Sequence, residues 1–124
     1  MRLTAQGVYL PTEGIPAAEL RGTARAIEEL GYGAVWLPDD LGRDPMVASA
    51  LMLEHTQALT VATGVLNLYG RDPKATAMAQ QTLSELSGGR FLLGLGVSDR
   101  AGVESRGHLW QPPLQAIRAY LAAL

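Results

Sequence analysis

Cysteine is absent from this chain, which excludes disulfides, thiolate catalysis and cysteine-type zinc sites together. Histidine is almost as scarce. His55 and His108 lie far apart and neither belongs to an HExxH-like cluster, so no protein-built metal site is expected. No uninterrupted apolar run approaches the roughly 20 residues a bilayer requires. The opening MRLTAQGVYLP carries no signal-like apolar segment, so neither membrane insertion nor secretion is indicated and a cytoplasmic location is expected. An excess of one charge is missing too: 10 Lys and Arg stand against 12 Asp and Glu, a net charge of -2. That leaves no basic stripe to grip phosphate backbones, and nucleic acid is not an expected partner.

What is present suits one globular domain over residues 1–124, with 48% hydrophobic and 18% charged residues. Its centre is Thr60 to Pro73, TVATGVLNLYGRDP. Val61 to Leu66 is a short apolar run that fits a strand buried on both faces, and the segment after it is polar and glycine-punctuated. Asp72-Pro73 then opens a helix: Asp accepts the free N–H groups of the first turn, and Pro loses only an N–H that had no partner.

The same unit recurs along the chain. Leu3 to Leu10 reads as a first strand, and Pro16 opens a helix to Leu30 with Leu20, Ala24, Ile27 and Leu30 on one face and Gly31 as its stop. Ala34 to Leu37 is the second strand. Asp44-Pro45 repeats the capping device ahead of a helix that runs through Val47, Ala50, Leu51 and Glu54, with His55 placed to favour the negative end of its dipole. The helix from Pro73 to about Leu86 turns Ala75, Met78, Ala79, Thr82, Leu83 and Leu86 inward, with Met78 as core filler. Phe91 to Val97 is a continuous fourth strand, Ser98 to Gln111 a long polar loop, and Pro112-Pro113 starts a last helix with the stripe Leu114, Ile117, Leu121 and Leu124.

Strand starts therefore recur every 27 to 31 residues, close to the period of a βα unit in a parallel sheet. The loops leaving the helices are short and plain. Those leaving the strands hold Asp39, Asp40, Arg43, Asn67, Tyr69, Arg71, Asp99, Glu104 and His108, and ligands of α/β folds bind at that end. A doubly wound nucleotide-binding domain does not fit, because Gly94-Leu95-Gly96 is followed by Asp99 at the third glycine position and no helix is expected for about a dozen residues. Gly94 and Gly96 read instead as small residues that permit close approach or tight packing. The remaining architecture is a (β/α) barrel, which needs eight units and about 250 residues in a full ring; four units are expected here.

Three linked segments, GYGAVWLPDDLGRDP, LTVATGVLNLYGRDP and SGGRFLLGLGVS, resemble the N-terminal half of the luciferase-like monooxygenase superfamily, and most closely its oxidoreductases that use the deazaflavin coenzyme F420. The resemblance implies a TIM-type barrel with a flavin or deazaflavin ring over the strand ends. It implies a bulge in the third strand with a non-prolyl cis peptide at Gly64-Val65, the alternative there being an ordinary trans strand with a glycine bulge. It places Asn67, Gly96 and Ser98 beside the cofactor and Asp39 and Asp40 at an acid-base position. Two features depart from relatives: Asp99 and Asp40 stand where several of them have His. The implied chemistry is hydride transfer between F420 and a small organic substrate, with an FMN-dependent monooxygenase as the competing assignment. In barrels the phosphate grip commonly comes from the loops after strands seven and eight, which these four units do not include. A non-catalytic half-barrel is the second class of reading. A half-barrel would expose strand edges, so self-association, most simply as a homodimer that completes the ring, is expected.

Overall fold

A computed structural model of the chain describes residues 3, 6–40 and 42–124; Thr4, Ala5 and Leu41, which fall inside the expected first strand and the second strand's loop, lie outside the described residues. Strand β1 (Gly7–Tyr9) is followed by a 3-10 turn (Ala17–Glu19) and helix α1 (Leu20–Glu29), then β2 (Ala34–Leu37) and α2 (Pro45–Glu54). Next come β3 (Thr60–Thr63), β4 (Leu66–Asn67), a 3-10 turn (Leu68–Gly70) and α3 (Pro73–Ser87). The chain closes with β5 (Phe91–Leu92), β6 (Leu95–Gly96), α4 (Arg100–Ser105) and α5 (Pro113–Ala123).

Every strand pair is parallel, in the order β1-β2-β3-β5, with β4 pairing β6. The order never reverses. A doubly wound sheet reverses at its switch point, whereas strands added one after another through helical crossovers are the arrangement of a (β/α) barrel. The helix side of the sheet holds the core, with Val35, Leu37 and Val61 packed against Leu20, Ile27 and Met52. The opposite face, inside the curve of the sheet, carries Gly7, Ala34, Trp36 and Ala62. Trp36 lies between two glycines there: an ideal Cβ on Gly7 would stand 3.1 Å from its Nε1, and one on Gly64 would stand 3.4 Å from its Cβ.

Both Asp-Pro caps form as expected. Asp44 accepts from the N–H of Met46 at 2.8 Å, and Asp72 from that of Ala75 at 2.9 Å. Several expectations need correction. The third and fourth strands are each broken in two. Val61 pairs with Phe91, thirty residues on, but Leu66 pairs with Leu95, only twenty-nine on, so the third strand holds one extra residue and bulges between Thr63 and Leu66. The Gly64-Val65 peptide within that bulge is cis. The loop after β6 is not unstructured: Asp99 caps α4 by accepting from Gly102 N–H at 2.7 Å, so a helix begins at once.

The helix faces also differ. Met78 and Leu86 are exposed, while Thr76, Leu83 and Ser87 form the buried side of α3. Val47 of α2 is exposed and Met46, Ser49 and Met52 are buried in its place. On α5 the expected stripe faces out at Leu114, Leu121 and Leu124, and the helix is held instead by Ala116 and Tyr120. Tyr120 is anchored by polar bonds, Thr76 Oγ1 at 2.6 Å and the Arg71 carbonyl at 2.9 Å, which no apolar periodicity reveals. Among the described residues no helix is long and apolar enough to cross a membrane.

Candidate functional site

The carboxyl ends of β2, β4 and β6 meet around a cavity of about 240 Å3 lined by Asp39, Asp40, Gly64, Val65, Asn67, Gly96 and Ser98, together with Tyr9 and Pro38. The first seven are the residues singled out in the sequence, and the structure brings all of them to one place. Tyr9 escaped sequence reading; the signal was its period-two alternation with Gly7, which puts both on the inner face.

The bulge shapes the floor. Val65 is exposed, and it packs so closely on Gly96 that any side chain there would run into its Cγ2. Gly94 is bare for the same kind of reason: a Cβ on it would strike the Thr63 carbonyl. Thr63 Oγ1 accepts from Gly94 N–H at 2.9 Å and donates to the Gly94 carbonyl at 2.8 Å, and Leu66 N–H reaches the same carbonyl at 2.7 Å. These bonds bridge the two broken strands across the bulge and stand in for the missing ladder. Of the two uses that the sequence left open for Gly94 and Gly96, close approach or tight packing, both glycines serve tight packing, against Thr63 and Val65 of the neighbouring strand.

The two acids do different things. Asp39 is tied to the bulged strand from both sides: its N–H donates to the Val65 carbonyl at 3.2 Å, and its Oδ2 accepts from Asn67 N–H at 3.0 Å. Asp40 is exposed and has no partner among the described residues. Asn67 is buried, and its Oδ1 accepts from Tyr69 N–H at 3.0 Å, which leaves its Nδ2 as the free donor. Ser98 has φ of 59°, the one positive value among described non-glycine residues. Its hydroxyl sits over Gly102, where an ideal Cβ would come within 2.6 Å of Oγ, so a side chain at that turn would displace the Ser98 hydroxyl from this position. The two histidines stay outside. His55 Nδ1 lies 3.1 Å from the Leu51 carbonyl at the end of α2, and His108 packs against Tyr69 with ring centroids 5.7 Å apart.

Comparison with known proteins places this arrangement. The 5,10-methylenetetrahydromethanopterin reductase of Methanolobus tindarius is 31% identical over 117 residues, which is 94% of this chain and 35% of that protein. A Mycobacterium tuberculosis protein named, by inference, a coenzyme F420-dependent oxidoreductase is 39% identical over 97 residues, 77% of this chain and 28% of that protein. The solved structure of the coenzyme F420-dependent tetrahydromethanopterin reductase from Methanopyrus kandleri superposes with a TM-score of 0.81 at 23% identity, covering 96% of this chain and 38% of that one. The chain thus spans about a third of the length of the proteins it matches. The model of the luciferase-like monooxygenase family matches residues 1–124, and the chain belongs to that family.

Proposed function

We propose that this chain forms the ring-binding part of an F420-dependent oxidoreductase acting on a small organic substrate. The observation that carries the reading is the convergence of Asp39, Asp40, Gly64, Val65, Asn67, Gly96 and Ser98 from three strand ends on one cavity. When bound, the deazaflavin supplies a two-electron hydride carrier at its C5. The residues present fit a flat ring. Val65 offers an exposed apolar face, Gly64 and Gly96 bring no side chain to obstruct it, and Asn67 Nδ2 and Ser98 Oγ are donors at its edge. Asp40 is the acid-base group, giving a proton to the substrate atom left electron-rich by hydride addition, or taking it in the reverse direction. Asp39 positions the wall by holding the bulged strand.

The test is a fluorescence titration of the purified protein with F420 and, separately, FMN. Saturable but weak binding of F420, tighter than that of FMN, is expected, because these four units do not include the loops that commonly grip a cofactor's phosphate in barrels. A stronger response to FMN moves the assignment to a flavin-dependent monooxygenase, and binding of neither at high protein concentration leaves the non-catalytic reading.

A further inference from the structure

A second cavity of about 370 Å3 lies next to the ring pocket and shares Asp39 and Asp40 with it. Three arginines from three different loops line it: Arg43 ahead of α2, Arg71 ahead of α3, and Arg106 at the end of α4. Their donors are only partly satisfied. Arg43 donates through Nη2 to the Ile15 carbonyl at 2.6 Å, and Arg71 through Nη1 to Asp44 Oδ2 at 3.3 Å. The Nε of each is buried with no acceptor. The Arg106 side chain has no partner among the described residues; it reaches over Gly70, where an ideal Cβ would stand 3.4 Å from its Nη1 and 3.6 Å from Asp39 Oδ2.

Two of the three carboxylates in this wall are already engaged. Asp44 Oδ1 caps α2 while its Oδ2 meets Arg71, and Asp39 Oδ2 holds Asn67 N–H. Asp40, at the rim shared with the ring pocket, is the free one. Buried donors lacking acceptors are destabilising, and a guanidinium fork matches an oxyanion in both charge and geometry.

We propose that this cavity is an oxyanion-binding subsite that seats the carboxylate or phosphate of an acidic ligand, with the rest of that ligand directed past Asp40 toward the ring pocket. Its service to the redox site rests on the proposed function; the binding itself does not. The experiment titrates cofactor-free protein with glutarate and with inorganic phosphate by calorimetry, and the preferred probe identifies the kind of oxyanion. Arg106→Gln, at an exposed position that leaves the fold intact, is expected to weaken binding about tenfold, as loss of one charge-assisted bond implies. Arg43→Gln should act in the same direction, added salt should weaken binding, and Lys74→Gln, an exposed cation outside the cavity, should leave it unchanged. Failure of both probes to saturate overturns the proposal. So does binding that Arg106→Gln leaves at the wild-type level, or that Lys74→Gln weakens equally. Because no cofactor is present, F420 binding without oxyanion binding sinks this subsite alone, and the converse sinks only the ring-pocket reading.

Discussion

Thr63 and Gly94 hold each other twice, the threonine hydroxyl accepting the glycine N–H at 2.9 Å and donating to its carbonyl at 2.8 Å. This pair fastens the two strands where the bulge interrupts their ladder, and it sets the floor on which Val65 stands. Thr63→Val keeps the shape but leaves Gly94 N–H without its acceptor, so a loss of about 1–3 kcal/mol is expected. Gly94→Ala should be at least as damaging, about 1–3 kcal/mol or more, because its methyl meets fixed backbone. Gly14→Ala, which meets nothing, should stay within about 0.5 kcal/mol. Urea unfolding midpoints of the three variants check the order.

At the opposite end of the strands, Glu28 accepts from the backbone N–H groups of Gln57, Ala58 and Leu59 at 2.6–3.1 Å. Arg90 closes the same turn from the other side, donating to the carbonyls of Leu53, Thr56 and Leu59. Partial burial pulls the Glu28 carboxyl upward, but the three N–H groups and the Arg90 charge outweigh it and hold it below the ordinary range. A carboxyl lowered on folding stabilises the fold above its unfolded value, about 4.3, and that contribution disappears as pH falls through the folded value. Glu28→Gln should therefore be less stable than the wild type at neutral pH, with the gap closing on acidification. Unfolding midpoints measured from about pH 7 down to about pH 3 test this; a gap that does not change with pH would contradict it.

Much of this was legible because the signals are local. Asp44-Pro45 and Asp72-Pro73 are helix starts that carry their own capping chemistry, and the recurring apolar runs fix four parallel units. The convergence of the seven candidate residues on one cavity was legible because strand ends are where such folds bind ligands, and because the resemblance named the positions. What was hidden depends on partners distant in the chain. Thr76 and Ser87 are buried on α3 in preference to Met78 because hydrogen bonds satisfy their hydroxyls, to Tyr120 and to the Leu83 carbonyl. Helical periodicity ranks a methionine above a threonine and cannot see that bond. The sequence puts Arg43 and Arg71 in the strand-end loops, but not the meeting of both with Arg106 at one cavity, which only the fold brings about.

The roles proposed for Asp39, which holds the wall, and for Asp40, which moves a proton, lead to different expectations. Asp39→Ala removes the acceptor of Asn67 N–H and should destabilise the fold by about 1–3 kcal/mol. Asp40→Asn, at an exposed position without partners among the described residues, should leave stability within about 0.5 kcal/mol. On the proposed function, the same substitution should lower turnover by about a hundredfold or more and remove one limb of the pH-rate profile. An unchanged profile in Asp40→Asn would take that residue out of the mechanism.

The described sheet has β1 and β5 at its outer positions, each with one row of backbone donors and acceptors unpaired by a neighbouring strand of the sheet. Exposed parallel edges seek further strands. A two-fold pairing that sets β5 of one copy against β1 of another would continue the sheet in the same direction and close it into a ring, so we infer that this 124-residue chain self-associates. Sedimentation velocity should show a weight that rises with concentration. Tyr9 stands half-exposed on the inner face of the β1 edge, where ring closure would enclose it. Tyr9→Lys should therefore shift the equilibrium toward monomer, since a lysine at an edge opposes strand addition and would have to be enclosed with its charge. A wild-type monomer whose weight is independent of concentration, and which unfolds in one cooperative step, would show that these edges need no second copy.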